Sequence, residues 1–133
     1  MNRRAFLATT AAFAATPVFA VTQYTPGLVA QELAAGKTVF LDFSASWCST
    51  CRAQRRVLSA LKQENPAYEQ AISFIDIDWD TYKSAKITKS LNIPRRSTLV
   101  VLKGNEELGR IVAGTARDQI QELMDTALAA ATA

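Results

Sequence analysis

The only two cysteines of the chain, Cys48 and Cys51, stand with two residues between them where an apolar run over residues 38–45 gives way to helical spacing. That run is rich in strand formers and carries a single acid, Asp42, which suits a strand covered on both faces. The stretch after it places Val57, Leu58 and Leu61 on one side of a helix and turns Gln54, Arg55 and Lys62 to solvent. Cys48 therefore falls at the first turn of a helix that leaves the end of a buried strand.

The neighbouring segments extend the alternation. Thr25 and Pro26 read as the N-cap and first turn of a short helix that stops at Gly36. Residues 71–78 form a second apolar strand, and residues 80–91 a weaker helix. Residues 99–102 and 108–112, separated by Gly104-Asn105, make a hairpin. A last helix carries Ile120, Leu123, Met124, Ala127 and Leu128 on one stripe, capped by Thr115 with Asp118 as the partner in a capping box; its alanine-rich tail is expected to fray. The order α-β-α-β-α-β-β-α predicts one α/β domain. Its mixed central sheet has parallel strands joined by crossovers, a C-terminal antiparallel hairpin, and helices on both faces.

With 133 residues there is room for one domain. Residues 1–20 do not read as part of it. Arg3 and Arg4 precede an apolar run ending in Val18-Phe19-Ala20, which has the pattern of a cleavable export signal of the twin-arginine type, leaving residues 21–133 as the mature domain. The run is about fifteen residues, shorter than the roughly 20 a bilayer span needs. Such a signal predicts a periplasmic protein, in a compartment that permits disulfides. Beyond residue 20 the chain holds 13 basic and 12 acidic residues, interspersed, so it has no basic footprint for nucleic acid.

Three chemistries are open to the two thiols. A structural disulfide across so small a loop removes little entropy from the unfolded chain. A structural zinc site needs four ligands, and the chain has no histidine; its only methionine past the first residue is Met124, on a core stripe. A catalytic dithiol uses the whole pattern. A thiol at a helix N-terminus meets unpaired N–H groups and the positive end of the helix dipole, which lower its pKa, and a thiol three residues on lies on the same face, within reach to attack a mixed disulfide. Cys48 is then the nucleophile and Cys51 the resolving thiol, with a metal-binding dithiol module as the alternative.

Trp47-Cys48-Ser49-Thr50-Cys51, preceded by Leu41-Asp42-Phe43 and followed by Arg52 and a βαββα remainder, resembles the thioredoxin superfamily over residues 25–130. Within it, the hydroxyl-rich dipeptide and the export signal are most similar to periplasmic thioredoxin-like reductases such as the C-terminal domain of DsbD. The resemblance implies a thioredoxin fold and a disulfide reductase, with oxidase or isomerase activity as the runner-up. It also implies roles. Asp42 matches the family's buried acid, which accepts the proton of the resolving thiol. Trp47 matches the aromatic flanking the thiols, and Arg96 and Ser97 belong to the loop that faces them and binds substrate. Two departures stand out. Ser97 occupies the place of the family's cis-proline, with Pro94 as a re-registered candidate, and Phe74 replaces a lysine that pairs with the buried acid, leaving Asp42 without that cation. Arg52, Arg55, Arg56, Arg95 and Arg96 are expected to form an electropositive rim. No cofactor or metal is implied, since nicotinamide and flavin fingerprints are absent. The implied partners are disulfide-bearing periplasmic proteins and a membrane electron donor, and the chain is expected to act as a monomer.

Overall fold

The computed structural model describes residues 21–133; the expected export signal, residues 1–20, lies outside the described residues. The sheet has five strands in the order β1-β3-β2-β4-β5. At its centre β2 (Thr38–Ser44) is buried along its whole length, as its unbroken apolar pattern requires. It pairs in parallel with β3 (Ser73–Asp78) through the crossover helix α2 (Ser49–Glu64), and antiparallel with β4 (Thr98–Lys103), which turns back into β5 (Glu106–Val112). A two-residue strand β1 (Thr22–Gln23), not anticipated from the sequence, adds to the far edge beside β3.

Alternation along β2 and β4 sorts the core into two layers. Phe40, Leu99 and Val101 face α2 and the C-terminal helix α6 (Arg117–Ala131), packing with Leu58, Leu61, Ile120 and Met124. Val39, Leu41, Phe43, Val100 and Leu102 face the other way, against α1 (Leu28–Ala34). Asp42 and Ser44 share the face of Phe40, which turns the lone acid of β2 towards α2 and the thiols.

Several local expectations are corrected. Thr25 does not cap α1: its carbonyl accepts the Leu28 N–H at 3.0 Å in a preceding turn, and Gly27, at φ 90°, is the N-cap residue. The stop at Gly36 is real; at φ 80° it lets the Gly36 and Lys37 N–H groups close on Leu33 and Glu32. The weak helix over 80–91 is two short pieces, α4 (Trp79–Tyr82) and α5 (Lys86–Ser90), with an extra turn α3 (Ala67–Ala71) ahead of β3. The N-cap of α6 is Ala116 without a side-chain bond, and Asp118 accepts from the adjacent Gln119 N–H instead of closing a box with Thr115. The alanine tail stays helical to Ala131, held on the sheet by its apolar stripe. Among the described residues no helix is long and apolar enough to cross a membrane.

Candidate active site

At the C-terminal end of β2 the chain leaves the sheet through Ala45 and enters α2 with Cys48 as the N-cap residue. The Cys48 Sγ accepts the Cys51 N–H at 3.1 Å, so the sulfur takes the place an Asp or Ser oxygen ordinarily holds at a helix start. Both thiols are free, and Cys48 is only 3% exposed. Burial pushes the Cys48 thiol up, but donors on the sulfur more than offset it: the Cys51 thiol, the Ser97 hydroxyl, the Cys51 N–H and the Arg96 guanidinium. Its pKa falls from about 9 to about 7. Cys51 moves the other way, raised by burial and by its bond to Cys48. One thiol is readied as thiolate while its neighbour keeps its proton.

Ser97 completes the pair. Its Oγ stands 3.1 Å from each sulfur, and the residue is fully buried. A hydroxyl has one hydrogen, so with Cys48 ionised it donates that hydrogen to the Cys48 sulfur, alongside the Cys51 thiol. Among the described residues there is no cis peptide bond, so the Arg96–Ser97 bond is trans. The chain instead turns into β4 with Ser97 at φ 61°, a left-handed conformation that costs a residue with a Cβ about 1–2 kcal/mol. It is held there by its N–H to the Phe43 carbonyl at 2.7 Å, and by its carbonyl accepting from the Ala113 N–H at 2.8 Å and from Gln54 Nε2 at 3.0 Å. Ser97, rather than Pro94, therefore faces the thiols.

Gln54 is a residue that sequence reasoning missed. Expected in solvent, it is 0% exposed, and its amide joins the Ser97 carbonyl to the Gly114 carbonyl at 3.0 Å each, tying two loops to α2. The signal was present: 51, 54, 58 and 61 are spaced along one helical stripe, but the polar amide argued against burial. Lys62 was likewise expected in solvent, yet its ammonium lies 4.0 Å over the Phe74 ring and 3.8 Å from Glu69.

Asp42 is 5% exposed, with Oδ1 lacking a hydrogen-bond partner among the described residues. Burial, then the neighbouring Asp76, push its pKa to about 7; Arg55 and Lys62 pull the other way. Phe74 stands where the family's lysine was expected to be missing from β3, and the cations that act on Asp42 are instead Arg55 and Lys62 of α2.

Trp47 is 55% exposed, its indole N–H donating to the Asp80 carboxylate at 2.9 and 3.2 Å, with the Arg96 guanidinium 4.5 Å from its ring centre. The expected arginine rim does not assemble as a whole. Arg96 reaches Cys48, whereas Arg55 turns to Ser44 at 3.1 Å and Asp76 at 3.7 Å, and Arg95 bonds the Arg96 carbonyl. Among the described residues no three acidic, cysteine or histidine side chains converge on a metal position.

Ser97→Gly separates the hydroxyl from the backbone. Glycine accepts φ 61° freely, so stability should not fall, while loss of one donor to the thiolate should raise the Cys48 titration midpoint by about one pH unit. Ultraviolet thiolate absorbance against pH, with urea unfolding alongside, checks both. An unmoved titration would mean the hydroxyl does not act on the sulfur.

A family model described as thioredoxin matches residues 20–126. Among curated proteins, thioredoxin H2-1 of Oryza sativa subsp. japonica is 31% identical over 90 residues, covering 68% of this chain and 60% of the rice protein. An H-type thioredoxin of Fagopyrum esculentum is 31% identical over 64% of this chain and 67% of its own length. The chain thus spans about three fifths of the rice relative. Of solved structures, Trxlp from Edwardsiella tarda EIB202 superposes with a TM-score of 0.69 at 26% identity, over 79% of this chain and 98% of that one. Mitochondrial thioredoxin 3 of Saccharomyces cerevisiae, at 23% identity and a TM-score of 0.59 over 79% of this chain and 93% of its own, speaks to the fold alone. A particular likeness to DsbD is not among what these matches show. They also overturn the periplasmic location expected from the sequence: the curated relatives are H-type thioredoxins of plants, which are cytosolic.

Proposed function

The chain belongs to the thioredoxin family of thiol-disulfide oxidoreductases, and on that premise we propose that it reduces disulfides of other proteins through Cys48 and Cys51. The Cys48 thiolate attacks one sulfur of the substrate disulfide, forming a mixed disulfide and releasing the other sulfur as thiolate. Asp42 takes the proton of Cys51, and the Cys51 thiolate attacks the Cys48 sulfur. The second substrate sulfur leaves, two electrons have passed to the substrate, and the Cys48–Cys51 pair is oxidised. Ser97 holds the hydrogen-bonded ground state, while Trp47 and Arg96 meet the substrate beside the sulfurs. A separate dithiol protein restores the reduced pair. The membrane-bound character first expected of that donor followed from the periplasmic location and is dropped with it. Nucleophile, resolving thiol and base all come from one chain, which supports action as a monomer.

The observation that carries the reductase direction is the modest activation of Cys48, to about 7. The more a thiolate is stabilised, the more the reduced form is favoured and the stronger the oxidant; a pKa near 7 accompanies reductants, and one near 3.5 strong oxidants. Equilibration with glutathione redox buffers should place the midpoint between roughly −230 and −270 mV. A midpoint near about −120 mV would make the protein an oxidase.

A further inference from the structure

Asp42 and Asp76 are direct partners in the parallel register of β2 and β3. Side chains at paired positions of adjacent strands stand on the same face, with backbones about 5 Å apart. That face is the one turned to α2, and both carboxyls line a single cleft of about 220 Å³ together with Arg55, Lys62, Phe40 and Phe74. Asp42 is its inner wall, and the partnerless Oδ1 belongs to a carboxyl that is almost wholly buried. Asp76 is the outer member, with its side chain 22% exposed and the Arg55 guanidinium 3.7 Å from Oδ2.

We propose that Asp42 and Asp76 act as one base, in which Asp76 is a positioning residue that makes the pair take up a single shared proton at the resolving step. This role rests on the reductase reading of the dithiol and adds to it a second group, beside burial, that raises the basicity of Asp42. Two carboxylates side by side in a poorly solvated cleft repel, and one proton taken up by either member relieves the repulsion. The doubly ionised pair removes the Cys51 proton, the Cys51 thiolate displaces the substrate thiolate from Cys48, and the proton leaves from the Asp76 side, which opens to solvent. The other charges facing the pair are Arg55 and Lys62 from α2 and the Cys48 thiolate at the helix start. The two cations oppose the repulsion and keep the doubly ionised form accessible near neutral pH. Gln23 of β1 donates to Asp76 and is neutral.

Carbon-13 NMR of the side-chain carboxyls across pH, on the reduced protein and on Asp76→Asn and Asp76→Glu, tests the pairing without relying on turnover. Asp76→Asn removes a charge at nearly constant shape from a partly exposed position. The Asp42 midpoint should then fall by about one pH unit or more, and Asp76→Glu should restore it. The acid limb of the rate of mixed-disulfide resolution should move by the same amount in the same direction. An Asp42 curve that superimposes on wild type in Asp76→Asn overturns the proposal. Absence of disulfide exchange in the wild-type protein would instead remove the reductase reading, leaving the titration to be judged by itself.

Discussion

Replacing Asp42 by Asn should stabilise the reduced protein by roughly 2–4 kcal/mol at pH 9 and leave it nearly unchanged at pH 3, below the ordinary carboxyl pKa. The carboxyl is buried in β2 with one oxygen partnerless, and its pKa stands at about 7 rather than the ordinary 3.8. The folded protein therefore holds the proton more tightly than the unfolded chain. Between about pH 4 and 7 the unfolded form has released this proton and the folded form has not, so stability falls as pH rises through that window and levels off above it. A carboxyl raised that far destabilises the fold at high pH by about 4 kcal/mol as an upper bound, and the favourable Arg55 and Lys62 charges are already included in that figure. Asparagine keeps the shape and removes the charge. The same change should slow resolution of the mixed disulfide by about 10²-fold, the usual contribution of a positioned base. Urea unfolding at the two pH values, with both thiols reduced, measures the first effect, and single-turnover kinetics the second. Equal unfolding curves for the two proteins at pH 9 would mean that Asp42 bears no charge penalty. Both effects together would make the acid a place where the fold carries a cost that the proposed chemistry uses.

Much of the frame was legible because hydrophobic periodicity reports burial. The continuous run that became β2, the second apolar strand that became β3 and the hairpin of β4 and β5 all follow from it, and the cysteines at the start of α2 follow from where one period yields to the other. Capping was read less well. Thr25 and Thr115 have the right chemistry for helix starts, yet a glycine with positive φ and an alanine occupy those places, because the approach of the chain to the helix is set by packing on the sheet rather than by the hydroxyl. Thiols, acid, tryptophan and serine were all found by pattern and resemblance, and the structure brings them to one end of the sheet. What the sequence concealed were relations across elements. The pairing of Asp42 with Asp76 is a matter of register, the burial of Gln54 depends on two loops folding over α2, and the trans link with Ser97 at φ 61° depends on the carbonyl of Phe43 waiting for its N–H. No single-residue preference predicts such partners, since each is supplied by a segment distant in the chain.

The second large effect concerns the division of labour between the sulfurs. Cys48 is the one whose pKa falls to about 7, while the Cys51 pKa rises, so attack on a disulfide should begin only at Cys48. Once a mixed disulfide has formed there, Cys51 resolves it as an intramolecular nucleophile one helical turn away, an arrangement with a very high effective concentration. Removing that thiol should strand the intermediate and lower turnover by roughly 10³-fold or more in the absence of small thiols. The direct measurement is to mix Cys51→Ser with oxidised glutathione and weigh the protein. One glutathionyl group per chain is expected, located at Cys48 and released by a reducing agent, with none captured when Cys48 is also replaced by serine. A Cys51→Ser protein that stays unmodified, or a Cys48→Ser protein that captures glutathione equally well through Cys51, would contradict that division of roles.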